Sequence, residues 1–170
     1  MSRYDKNIIL TGMPACGKSV TGVVLAKSLN MQFVDTDLLI QQRAGKSIQR
    51  ILNEDGMDVF KKTEEDVLCS LEVTGTVVAT GGSAVYYEKA MEHLKENGTV
   101  VYLEASLDTV KKRLRNIRTR GVAMKKGQTL DDLYEARVPL YKKYADVTVH
   151  TGDAAMEKTV ENIIDVLLSF

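Results

Sequence analysis

The sequence predicts an α/β domain built on a parallel sheet, and three observations carry that prediction. Short, β-branched apolar segments alternate with longer helical ones along the whole chain. The first strand-to-helix junction holds Gly12-Met13-Pro14-Ala15-Cys16-Gly17-Lys18-Ser19, which fits the phosphate-loop pattern G-x-x-x-x-G-K-[ST]. The chain has 170 residues and is 44% hydrophobic, which suits one domain with one core.

Taken in order, the first strand is Asn7–Leu10, a short apolar run of the kind buried on both faces. The helix after it, Gly17–Leu29, keeps its apolar residues on one face. Further strands are expected at Gln32–Asp35, Thr76–Ala79, Thr99–Leu103 and Val147–His150. Helices are expected at Thr36–Ala44, Ser47–Asn53, Val59–Val73, Tyr87–Glu96, Leu107–Arg115, Leu130–Tyr144 and Ala154–Leu168. Alternation of this kind implies right-handed crossovers. Ligands in such sheets bind beyond the carboxyl ends of the strands, so chemistry is sought just after each strand.

The phosphate loop has a specific physical logic. Glycines let the backbone curl until successive N–H groups point at phosphate oxygens, and the positive end of the next helix faces the same anion. Lys18 offers a point charge to the β- and γ-phosphates, and the Ser19 hydroxyl can ligate Mg²⁺. A chance match in a chain of this length has odds of about one in two hundred. The bland alternative is a plain glycine turn, and the strand and helix flanks argue against it.

Asp35-Thr36-Asp37 follows the second strand. One carboxylate there can hold Mg²⁺ through a water, and the other can take the proton of a substrate hydroxyl. Helix capping explains one of the two acids but not both. Thr80-Gly81-Gly82-Ser83 follows the third strand, where paired glycines allow close backbone approach to a ligand or simply make a turn. Ser47–Val73 reads as a helical insertion that walls the site. Residues 118–128 carry arginines, lysines and glycines and no acid, and read as a mobile flap.

Composition narrows the function classes. Lys plus Arg and Asp plus Glu are both 23, so the net charge is zero, which argues against a nucleic-acid or membrane surface as the main partner. No apolar stretch approaches 18 residues, and the segment before the first strand leaves no room for a signal peptide. Two cysteines, Cys16 and Cys69, make neither a disulfide framework nor a metal spacing, which points to a reducing cytoplasm. Cys16 is read as a small tolerated loop residue, with redox sensing as the alternative. The methionines, the solvated His93, the unassigned His150 and the packing tyrosines Tyr134, Tyr141 and Tyr144 complete the reading.

These residues resemble the shikimate kinase family, within the nucleoside-monophosphate-kinase-like phosphate-loop folds. The resemblance rests on the phosphate loop, Phe33-Val34-Asp35-Thr36-Asp37, Gly56 with Phe60 and Glu64, Ala79-Thr80-Gly81-Gly82, Val100-Val101-Tyr102-Leu103-Glu104, Arg137-Val138-Pro139-Leu140-Tyr141 and Tyr144-Ala145-Asp146-Val147-Thr148-Val149. It implies a three-layer sandwich whose five parallel strands run in the order 2-3-1-4-5. It also implies a single kinase domain over residues 1–170, with a substrate-binding insertion at about 38–73 and a lid at about 118–128.

The resemblance further implies ATP held by residues 12–20 (Gly12 to Val20) with Arg113 stacking on adenine, and Mg²⁺ placed by Ser19 and Asp35. Asp37 would be the base and bind a ring hydroxyl of the acceptor. Gly81 and Gly82 would offer it backbone N–H groups, and Arg137 would pair with its carboxylate. Lys18 and Arg120, the latter on the lid, would stabilise the moving phosphoryl group. The implied activity is phosphorylation of shikimate to shikimate 3-phosphate in aromatic amino-acid biosynthesis, by a cytoplasmic monomer acting on a small molecule.

Three departures fall on the acceptor side. Lys61 stands where the family places a carboxylate-gripping arginine, Ser83 stands at the usual third glycine, and the lid reads Arg120-Gly121-Val122-Ala123 and is a few residues short. Lysine offers a point charge where arginine offers a two-pronged donor. The alternatives carried forward are a kinase for another hydroxy or sugar acid such as gluconate, and a non-catalytic ATP-binding protein.

Overall fold

The computed structural model describes residues 4–115 and 122–170. Its sheet is parallel throughout and five-stranded, with β1 Asn7–Thr11, β2 Gln32–Asp35, β3 Thr76–Ala79, β4 Gly98–Glu104 and β5 Val147–His150. The order is β2-β3-β1-β4-β5, as expected. β1 lies between β3 and β4 and is wholly buried, so the loop that follows it opens at the middle of the sheet's carboxyl edge.

The helices are α1 Lys18–Leu29, α2 Thr36–Ala44, α3 Ile48–Arg50, α4 Met57–Cys69, α5 Glu88–Glu96, α6 Leu107–Arg115, α7 Leu130–Tyr144 and α8 Met156–Ser169. A single 3₁₀ turn, Ala84–Tyr86, follows the glycine pair and was not foreseen. Burial of Ile8, Ile9, Leu10, Val77, Val78, Val100, Val101 and Leu103 makes the sheet the core's centre. At about 25 cal/mol per Å², each such side chain contributes roughly 1.5–3 kcal/mol.

Three helices depart from expectation by two residues or more. The helix expected at Val59–Val73 starts at Met57 and stops at Cys69. Beyond it the Leu71 carbonyl meets His93 Nε2 at 2.8 Å, and the Asn7 side chain bridges Val73 O at 2.8 Å and Thr76 N at 3.0 Å. Those tertiary bonds pull the chain into the sheet, and His93 is half-buried rather than solvated.

The helix expected at Ser47–Asn53 instead makes α3 and then a wider turn over Ile51–Asp55, closed by Gly56 N on Ile51 O at 3.0 Å. Lys46 pins the turn through Glu54 at 3.1 Å and Asp55 at 2.7 Å. Ile48 and Ile51 thereby share a second apolar cluster with Ile40, Phe60 and Val67, separate from the main core. The last helix begins at Met156 rather than Ala154. Of the expected lid, residues 118–121, Arg120 among them, lie outside the described residues.

Candidate active site

The loop between β1 and α1 is shaped by backbone conformations that few side chains tolerate. Gly12 has φ +147°, and a Cβ there would stand 2.7 Å from Leu103 O and 2.8 Å from Cys16 Sγ. Gly17 has φ +96°, and Ala15 takes the left-handed region at φ 62° without being glycine. Alternating handedness aims N–H groups inward as an anion nest at the start of α1. Lys18 is 4% exposed; its ammonium donates to Gly12 O at 2.7 Å and Met13 O at 2.8 Å and lies 3.6 Å from Cys16 Sγ.

Ser19 Oγ donates to Asp35 Oδ2 at 2.7 Å. Asp35 Oδ1 accepts from Asp37 N at 3.0 Å, so the first acid of the pair is the cap of α2. The capping reading and the site reading therefore apply to different oxygens of one carboxylate. Asp37, in the first turn of α2, turns to the glycine pair instead: its Oδ1 lies 2.8 Å from the point a Cβ on Gly81 would occupy.

Arg137 reaches the same pair from α7. It is 2% exposed, and its Nη1 lies 2.8 Å from where a Cβ on Gly82 would stand. Nη2 donates to Ala123 O at 3.1 Å, and the guanidinium sits 5.5 Å from the Tyr86 ring centroid. Its Nε has no partner among the described residues, which is what a site made for an anion would leave. Gly81 and Gly82 are thus required by the side chains that press on them, Asp37 on one and Arg137 with Pro14 on the other.

Two cavities meet here. The inner one, about 30 Å³, is lined by Pro14, Lys18, Asp37, Glu64, the glycine pair and Arg137 among others. The outer one, about 440 Å³, is walled by Met57, Phe60, Tyr86, Tyr87 and Leu133, with Lys61, Lys125 and Arg137 as its cations. Lys61 is exposed and faces this cavity, while Lys62 is held by Asp66 at 2.8 Å. A third cavity, about 210 Å³, runs from the phosphate loop past Val20 and Thr21 to Thr151 and Met156. Arg113 lines it, with Nη1 on Ala15 O at 3.2 Å and Nη2 on Gly152 O at 3.0 Å.

Four residues make contacts that sequence reasoning missed. Tyr141, expected to pack, does stack on Tyr102 at 5.1 Å, but its hydroxyl also donates to Gly82 O at 2.6 Å. Its spacing of four from Arg137 on one helix was the available signal. Burial pushes its phenol well above the ordinary range. Tyr86, on the 3₁₀ turn, holds the guanidinium face. Glu64 is buried on the apolar face of α4 with Phe60, Val67 and Leu68; an acid in that stripe was the signal. His150, left unassigned, pairs with Glu104 at 2.8 Å.

The family model for shikimate kinase matches residues 14–168. The chain belongs to the shikimate kinase family. A shikimate kinase of Haemophilus influenzae is 36% identical over 166 residues, covering 95% of this chain and 92% of that protein. One from Pseudomonas paraeruginosa is 39% identical, covering 94% of each. A solved shikimate kinase from Acinetobacter baumannii in complex with shikimate is 32% identical, with a TM-score of 0.84 over 96% of this chain and 93% of that one. Family membership makes the chain a small-molecule kinase, and the fold is the family's. Among the described residues, no helix is long and apolar enough to cross a membrane.

Proposed function

We propose that the chain transfers the γ-phosphoryl group of ATP to a hydroxyl of shikimate, giving shikimate 3-phosphate. One observation carries the reading: the inner cavity joins Lys18 of the phosphate loop, the Asp37 carboxylate and the buried, under-bonded Arg137 around one glycine pair. A base, an anion grip and a phosphate lysine are what phosphoryl transfer to a hydroxy acid needs.

The residues fit both cofactors. The nest over residues 12–17, Lys18 and the start of α1 fit a triphosphate, and the Arg113-lined cavity fits the base with a guanidinium face beside it. Ser19 and Asp35 fit Mg²⁺ as one direct ligand and one through water; that ion takes few protein ligands, and no richer cluster of ligating side chains occurs among the described residues. MgATP supplies the phosphoryl group and neutralises its oxygens.

The chain's own residues do the rest. Asp37 orients and deprotonates the acceptor hydroxyl. Arg137 pairs with the carboxylate, assisted by Lys61 from the outer cavity and by the N–H groups of Gly81 and Gly82. Lys18 leaves loop carbonyls to meet phosphate oxygens, and Arg120 closes from the lid. Residues 38–73 serve as the acceptor-binding part and 118–128 as the lid of one kinase domain.

An ADP-release assay with MgATP and millimolar shikimate, beside a no-acceptor control, tests the proposal. Shikimate-dependent turnover is expected. Background hydrolysis alone, with ATP binding confirmed, overturns shikimate as acceptor and sends the search to gluconate and other hydroxy acids.

A further inference from the structure

The proposed mechanism leaves a buried carboxyl group unused. Glu64 is 1% exposed, yet its two oxygens are treated differently. Oε1 accepts the Ser83 hydroxyl. Oε2 is buried and has no hydrogen-bond partner among the described residues. It lies 2.8 Å from the position of a Cβ on Gly81, the same distance from that point as Asp37 Oδ1. Two carboxyl oxygens, one from α4 and one from α2, therefore flank one glycine inside the inner cavity. A buried carboxyl oxygen left unpaired is costly and calls for a partner that the protein itself does not supply.

Ser83 explains why Oε2 points where it does. Its hydroxyl is the tether on Oε1, and a glycine at this position has no side chain to provide one. Resting on the reading that shikimate is the acceptor, we propose that Ser83 is a positioning residue of the acceptor site: it anchors Oε1 of Glu64 and so aims Oε2 into the cavity beside Asp37, where it holds a second acceptor hydroxyl and sets acceptor affinity.

The surroundings give this arrangement a pH dependence. Burial, with the neighbouring Asp37 charge, raises the Glu64 carboxyl to about 7 against the pull of the Ser83 hydrogen bond, the adjacent Tyr87 hydroxyl and the Arg137 charge. The other charged groups lining the two cavities are Lys18 from α1, Lys61 from α4, and Lys125 from the lid segment. Below neutrality Glu64 is a neutral donor through Oε2. Above it, two carboxylates face each other around Gly81 and repel an anionic acceptor.

The test is steady-state kinetics of the full chain between pH 6 and 9 for wild type, Ser83→Ala, Ser83→Thr, Glu64→Gln and the double variant. The acceptor KM of the wild type is expected to rise roughly tenfold between pH 6 and 8.5, and that of Glu64→Gln to stay flat. Ser83→Ala should raise the acceptor KM about three- to tenfold, the loss of one hydrogen bond, with the change falling on KM rather than kcat. Ser83→Thr should restore it, and the double variant should be no worse than Glu64→Gln alone. A Ser83→Ala enzyme with the wild-type KM, or effects of the two sites that simply add, would overturn the proposal.

If no variant turns over shikimate, the proposed function falls, and a carboxyl ¹³C titration of Glu64 decides the inference separately. With Ser83 anchoring it, the midpoint should move up in Ser83→Ala; an unmoved midpoint means Ser83 does not position Glu64.

Discussion

The nucleotide side and the acceptor side of this site are built by opposite means. In the proposed function, residues 12–19 supply the phosphate-binding part of the nucleotide side, through backbone N–H groups set by a few positive φ values and through Lys18 folded over its own loop, with Asp35 and Arg113 joining from elsewhere. The acceptor side has no such contiguous element. Asp37 comes from α2, Lys61 and Glu64 from α4, Ser83 from the turn after β3, and Arg137 and Tyr141 from α7. In a backbone-built site the fixed positions are those that need a positive φ or a close approach, such as Gly12 and Gly17. A side-chain-built site can be altered residue by residue, and Lys61 and Ser83 are the result.

The comparison predicts where substitutions are severe and where they are graded. Lys18→Ala should lower kcat by about 1,000-fold or more with the fold retained, read by turnover beside circular dichroism, because a phosphate-oxygen charge partner is lost. Normal turnover would show that the loop is not the phosphate site. Asp37→Asn should cost about 10²- to 10⁴-fold in kcat while ATP affinity, measured by calorimetry, barely moves. A loss of ATP affinity instead would blur the division between the two sides.

Glu64 offers a stability test of the acceptor side without any ligand. Its folded carboxyl holds a proton to about pH 7, against an ordinary value of 4.5, chiefly because it is buried. The folded state therefore binds the proton more tightly than the unfolded state. Stability from this group is full below about pH 4.5 and is lost as pH rises through 7, by roughly 3 kcal/mol in total. Denaturant unfolding of wild type against Glu64→Gln between pH 5 and 8 should show the decline in the former alone; parallel curves would mean Glu64 is ionised throughout.

The smallest expected effect belongs to Lys61. It is exposed on the wall of the outer cavity, so Lys61→Arg gains at most one two-pronged contact. The acceptor KM should fall by about three- to tenfold, with kcat little changed. No change would place Lys61 away from the carboxylate and leave Arg137 as the grip.

What could be read from the sequence follows the same division. The loop, the strands and the acid pair after β2 were legible because each is a local pattern whose physics is confined to neighbours in the chain. The stop of α4 at Cys69 was not, since it depends on His93 and Asn7, which catch Leu71 and Val73 from elsewhere in the fold. Nor was the wider turn at Ile51–Asp55, which serves a cluster assembled from α2, α3 and α4. Tyr141 was legible as an aromatic on a helix, but not as the hydroxyl that holds Gly82.

By itself the sequence determined the sheet's strands, the phosphate loop and the chemistry to expect, because alternation, glycine conformations and motif spacing are properties of short stretches. Only the tertiary structure decided which oxygen of Asp35 caps and which meets Ser19, that Arg137 and Asp37 press on adjacent glycines, and that Ser83 ties down a buried Glu64. Those facts depend on side chains distant in the chain being brought into contact. Packing against a shared core fixes such distances, and no local propensity does.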